Sequence, residues 1–199
     1  GTELKTAADG TWSYGCVPAS MDSASFTFNH PKFMAERAAF PRGQYDAAGN
    51  GKTEAKVELK RGLSITGTVT DESGQPVSGA LVRTKFVNEQ REARTGDDGK
   101  YELVGCEPRM ARIVVSSPGK AMDMKEVRIG RQPDPVDFVL KPGGHLRVVA
   151  LDENGKPIPK TRIFFQQWRG RIEYFEFDHV NGYADENGVW EWNEAPTDA

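Results

Sequence analysis

The sequence predicts an all-β protein built from repeated small β-sandwiches. Three observations predict it. Apolar and β-branched residues alternate at period two, as in Ser64-Ile65-Thr66-Gly67-Thr68-Val69-Thr70, the pattern of a half-buried strand. Turn chemistry punctuates the chain, with 21 Gly and 12 Pro in 199 residues, which suits short strands joined by tight turns. The stretch Gly67 to Ala80, Gly-Thr-Val-Thr-Asp-Glu-Ser-Gly-Gln-Pro-Val-Ser-Gly-Ala, also returns in altered form at Val148 to Thr161. No window keeps a 3.6-residue period for a useful length, so little helix is expected.

Residues 1–62 read as the back part of a first repeat. Asp9-Gly10-Thr-Trp12-Ser-Tyr14 aligns with Asp98-Gly99-Lys-Tyr101-Glu-Leu103, and Ser25 to Phe28 precede Pro31 as Arg112 to Val115 precede Pro118. Ala55 to Lys60 aligns with Val136 to Lys141, and Phe40 to Lys52 reads as a long exposed loop. Residues 63–143 read as the complete repeat. Strands are expected near 63–70, 80–87, 91–95, 100–104, 110–117, 121–129 and 135–141. Asp71 and Gly74 supply the turn after the first of these, and Pro76 stiffens its exit. Met122, Met124, Val127 and Ile129 are expected to be core or inter-sheet filler.

Residues 144–199 read as the front part of a third repeat. Asp71, Gly74 and Pro76 map onto Asp152, Gly155 and Pro157, and Gly99 and Tyr101 onto Gly188 and Trp190. Lys160-Thr161 stands where the complete repeat has Gly79-Ala80, which leaves the packing of the next strand open. The segment Ile163 to Phe177 is extra and reads as a long hairpin turning at Arg169-Gly170-Arg171. The chain thus reads as an excised piece of a longer protein. Its partial repeats hold complementary strands, so self-association through their unpaired edges, as a ring or a head-to-tail oligomer, is the alternative.

Gly-x-Val-x-Asp-x-x-Gly-x-Pro-Val-x-Gly-Ala, followed by Thr95-Gly-Asp-Asp-Gly-Lys-Tyr-Glu-Leu103, resembles the carboxypeptidase regulatory-like domain. The resemblance spans Gly62 to Gly143 fully and the flanks in part. It implies seven-stranded, transthyretin-like or Ig-like β-sandwiches in tandem, partial at both ends. It also implies a secreted, periplasmic or cell-surface setting within a larger multidomain protein. It implies no reaction, since in that family the sandwich accompanies a separate zinc catalytic domain. The tetrapeptide motif of the related transthyretin-like hydrolases is not found here.

The formal net charge is -3, so no broad basic field favours nucleic acid. No apolar run approaches the ~20 residues of a helical membrane span. Cys16 and Cys106 each precede a proline by two residues. They read as one position in two repeats, too far apart for the ~6 Å Cα spacing of a disulfide, and are expected to be free thiols. His30, His145 and His179 match no metal spacing. The acidic turns Asp71-Glu72, Asp97-Asp98, Asp152-Glu153 and Asp185-Glu186 carry two acids each. Calcium takes about six to eight oxygens, so turn chemistry is the expected role. Pro135 to Lys141 contains no Asn for an isopeptide bond. No cofactor is implied.

The aromatic hairpin is the candidate site. Trp168, Arg169, Arg171 and Tyr174 are the candidate ligand-binding residues, because exposed aromatic rings beside guanidinium groups stack on sugars or clasp a protein. Packing of the same rings against a second sheet is the competing role. The expected function is a non-enzymatic spacer module. The alternative is a glycan- or protein-binding module using this hairpin.

Overall fold

The computed structural model describes residues 3–15, 21–41, 56–86, 90–165, 167–169, 171–172 and 182–198. The chain divides into two compact units, Gly1–Arg61 and Gly62–Ala199. In chain order the strands are β1 (Ser23–His30), β2 (Phe33–Pro41), β3 (Leu63–Asp71), β4 (Leu81–Lys85), β5 (Gln90–Arg94), β6 (Lys100–Cys106), β7 (Met110–Ser117) and β8 (Lys120–Arg128). They continue as β9 (Phe138–Leu140), β10 (Gly144–Val149), β11 (Arg162–Ile163), β12 (Gln167–Trp168), β13 (Arg171–Ile172), β14 (Gly182–Tyr183) and β15 (Val189–Ala195). Among the described residues there is no helix.

Strands β3 to β9 form a two-layer sandwich. One sheet has the order β6-β3-β9, with β9 parallel to β3, and the other β5-β4-β7-β8. The alternation read from the sequence is the cause: Ile65 and Val69 on β3, Leu103 on β6 and Phe138 on β9 meet Val82 on β4 and Ile113 and Val115 on β7 in one buried cluster. Burial of such side chains contributes roughly 1.5–3 kcal/mol each. The strands fall close to the expected ranges, the last being shorter, Phe138–Leu140 rather than 135–141. Cys106 is buried, its Sγ 3.6 Å from the Leu103 carbonyl; Cys16 lies outside the described residues.

The third segment repeats the pairing of this sandwich. Leu63↔Cys106, Ile65↔Leu103 and Gly67↔Tyr101 correspond to Gly144↔Ala195, Leu146↔Trp192 and Val148↔Trp190, with the bulge at the same place. Leu81↔Arg94 and Val82↔Ala93 correspond to Arg162↔Tyr183 and Ile163↔Gly182. The turn is also kept: Lys160 N–H donates to the Ala184 carbonyl as Gly79 N–H donates to that of Thr95. The replacement read from the sequence is thus tolerated, with Lys160 held at φ 58° where Gly79 has φ 72°.

In the first unit β1 and β2 pair from Ser23↔Pro41 to His30↔Phe33, the register of β7 and β8 from Met110↔Arg128 to Ser117↔Lys120. Phe40 does not lie in a loop. It is on β2 opposite Ala24, its ring 5.9 Å from that of Phe26, because the aromatic cluster recruits it into the strand. The rest of the expected loop, 42–52, lies outside the described residues.

Candidate functional site

The hairpin β12–β13 pairs Trp168 with Arg171 and Gln167 with Ile172. The far end of the expected hairpin, 173–177, lies outside the described residues. Its turn places Arg169 at φ 50°, a left-handed conformation that costs a non-glycine residue roughly 1–2 kcal/mol. Contacts made by the side chain offset that cost. Arg169 Nη1 donates to the Met124 carbonyl at 2.7 Å, and Nη2 donates to Asp123 Oδ1 at 2.7 Å. Nε donates to Asp198 Oδ2 at 2.9 Å. One guanidinium therefore ties the hairpin to β8 and to the segment after β15.

Trp168 is buried, with 1% of its surface exposed. Its ring packs in a second cluster with Val114, Met122 and Met124 from the sandwich and Trp192 and Ala195 from β15. Phe165 joins them, 6.3 Å from Trp168 and 5.1 Å from Trp192 between ring centroids. Trp168 Nε1 donates to Asp198 Oδ1 at 3.4 Å, and the Arg169 guanidinium carbon sits 4.8 Å from the Trp168 ring centroid. Partial burial pushes the Asp198 carboxyl up, but the hydrogen bonds from Arg169 and Trp168 win and hold it below its ordinary 3.8.

Of the four candidate residues, Trp168 and Arg169 are brought together here. Arg171 is placed by its backbone on β13, and Tyr174 lies outside the described residues. Met122 and Met124, expected from the sequence to be core or inter-sheet filler, are buried in this cluster. Nothing local marked Asp123 or Asp198, which meet Arg169 from positions 46 and 29 residues away.

The acidic turns serve their own backbones. Asp71 Oδ1 accepts from Ser73 Oγ at 2.6 Å, Ser73 N at 2.9 Å and Gln75 N at 3.1 Å. The Ser73 hydroxyl is the leading reason that the Asp71 carboxyl lies below 3.8. Asp152 accepts from the amides of Asn154 and Lys156, and Asp185 from those of Asn187 and Val189. Asp9 does the same for Thr11. Among the described residues no three His, Cys, Asp or Glu side chains gather as a metal site. His30 Nδ1 accepts from the Lys32 amide, and His145 Nδ1 lies 2.6 Å from Asn193 Oδ1. His179 lies outside the described residues.

The sandwich of β3 to β9 also matches a known family: residues 64–141 fit the carboxypeptidase regulatory-like domain. That segment is a carboxypeptidase regulatory-like domain. Its fold is the transthyretin-like, Ig-like sandwich, and its β7 and β8 supply Val114, Met122, Asp123 and Met124 to the site. No curated protein matches the sequence. Among solved structures the chain is similar to the Bacillus anthracis TIE protein at 14% identity and TM-score 0.34, covering 88% of this chain and 36% of that one. It is similar to a Bacteroides uniformis protein whose name assigns it to carbohydrate binding, at 12% identity and TM-score 0.35, covering 65% and 77%. A streptococcal ancillary pilin aligns at 8% identity and TM-score 0.31, covering 85% and 61%. The chain therefore spans about a third of the Bacillus anthracis protein. Among the described residues no helix is long and apolar enough to cross a membrane.

Proposed function

We propose that the chain is a non-enzymatic structural module of a larger exported protein, in which the segment 144–198 is fixed to the regulatory-like domain rather than strung on a free linker. The carrying observation is the Trp168–Arg169 hairpin. It buries its indole against Val114, Met122 and Met124 of the regulatory-like domain and ties its guanidinium to Asp123 and the Met124 carbonyl. A ring buried on that scale serves cohesion, and a stiff connection is what a spacer needs to hold another domain at a set distance. Amide hydrogen exchange tests the reading. In Trp168→Ala, protection is expected to fall across 144–198 and to persist in 64–141. Unchanged protection in 144–198 sinks it.

A second reading keeps a binding role, and one observation favours it. Arg162 stands directly opposite Tyr183, and its guanidinium lies 4.2 Å from the centroid of the Phe164 ring. Both rings are exposed, Tyr183 by 63%. Glycan or protein ligands would meet aromatic surface there rather than at Trp168. Titration with a polysaccharide panel is expected to show saturable binding that Tyr183→Ala weakens at least tenfold without loss of stability. A panel with no binding removes the glycan form of this reading.

A further inference from the structure

We propose that the regulatory-like domain carries tension, with the seam between β3 and β9 as its load-bearing element. Load-bearing presupposes the structural-module reading above and adds the direction in which the module resists. The chain enters this domain through β3 and leaves it through β9. Those two strands are paired in parallel, at Val69↔Phe138, Thr70↔Val139 and Asp71↔Leu140. Among the described residues every other strand pairing is antiparallel. Tension along the chain pulls β3 from its first residue and β9 from its last. Parallel strands pulled that way slide past one another, so the bonds across the seam are strained together. An antiparallel pair joined by a turn, such as β7 and β8, opens from one end and loses its bonds in succession.

The seam is reinforced beyond its register. The Val136 amide donates to the Thr66 carbonyl at 2.8 Å, and the Thr68 amide to Asp137 Oδ1 at 2.8 Å. The Val136 carbonyl accepts from the Tyr101 hydroxyl at 2.6 Å. It reaches that place because Gly67 has no Cβ to block it. Bonds across the seam thus extend over 66–71 on one side and 136–140 on the other. Val69, Phe138 and Leu140 are buried, which keeps water from replacing the bonds on that side as they stretch. On the far side, β9 and the residues after it are gripped by β8. The Ala121 amide donates to the Lys141 carbonyl at 2.9 Å, the Gly143 amide to that of Gly119 at 3.1 Å, and Lys125 Nζ to that of Asp137. The strand that takes the load is held from both sides.

Resistance to force is set by the rate of unfolding rather than by its equilibrium. A seam that breaks only as a whole raises that barrier along one direction and leaves the equilibrium stability as it was. The direction is the one the chain itself applies, since β3 and β9 are where the domain joins the rest of the chain.

Single-molecule pulling on the full chain tests this, with two placements of the handles. Ser64→Cys with Lys141→Cys draws β3 and β9 in opposite directions along the seam. Ser64→Cys with Asp134→Cys draws the two strands apart from the same end. All three positions are exposed. Cys16→Ser removes one native thiol, and Cys106 is fully buried. Sliding is expected to need at least about twice the force of peeling, because several bonds must yield together. The urea midpoint is expected to be the same in both proteins. The sliding event is expected to release at most about 280 Å, the extended reach of the chain between Ser64 and Lys141. Asp137→Ala, which removes the acceptor of the Thr68 amide, is expected to lower the sliding force. Equal forces in the two directions, or a sliding force that Asp137→Ala leaves unchanged, overturns the proposal. Either result leaves the hydrogen-exchange outcome for 144–198 standing, because neither placement pulls on that segment.

Discussion

Gly67 sits where β3 meets the approach to β9. A Cβ there would lie 2.1 Å from the Val136 carbonyl oxygen and 2.9 Å from the Tyr101 ring. The Tyr101 hydroxyl donates to that same oxygen at 2.6 Å, and the Val136 amide donates to the Thr66 carbonyl at 2.8 Å. Burial, with Asp137 nearby, pushes the Tyr101 phenol well above its ordinary value, so it stays a donor. Gly67→Ala is expected to lower the unfolding free energy by about 1–3 kcal/mol through overpacking, read from urea denaturation. Lys160 is the opposite case. Its φ of 58° is strained where its counterpart Gly79 is at ease. The strain costs roughly 1–2 kcal/mol and the freer unfolded state of glycine returns part of it. Lys160→Gly is therefore expected to stabilise the protein by about 0.5–1 kcal/mol, and a lower midpoint would refute the strain argument.

The hairpin β12–β13 is too short to hold itself, since two-stranded ribbons are marginal in water. Its order comes from what Trp168 and Arg169 reach. Trp168→Ala is expected to cost the third segment about 3–5 kcal/mol, the range for a fully buried aromatic. The ionic part has a pH signature. Asp198 is held below 3.8 in the folded protein, so its contribution is present above that unfolded value and is lost as pH falls through the folded one. The stability gap between wild type and Asp198→Asn is expected to stay constant above about pH 5 and to close as acid protonates the carboxylate. A gap that widens in acid would exclude Asp198 from the clip. Trp168 and Arg169 were legible as a pair because they adjoin in sequence. Their burial was not, because it depends on the outer face of β7 and β8.

At the scale of the whole molecule, β7 and β8 present apolar side chains on both faces. Ile113 and Val115 belong to the core of the regulatory-like domain, and Val114, Met122 and Met124 to the cluster shared with the third segment. Met122→Ala is expected to cost about 2–5 kcal/mol and to act on the shared cluster. Near-UV circular dichroism from Trp168 and Trp192 is expected to weaken while the strand signal of the domain persists. Parallel loss of both signals would mean that the two clusters are one cooperative core.

The sequence by itself determined the strands and turns of residues 63–143 and their counterparts elsewhere, because alternation, Asp turns and positive-φ glycines act over a few residues. Asp71, Asp152 and Asp185 each bond an amide two residues on and another four residues on, and that chemistry is written locally. Only the tertiary structure decided that Phe40 belongs to a strand, that Trp168 is buried, and that Asp123 and Asp198 meet at Arg169. An alternating strand states that it has two faces. What covers each face depends on distant segments arriving there, and no local pattern carries that information.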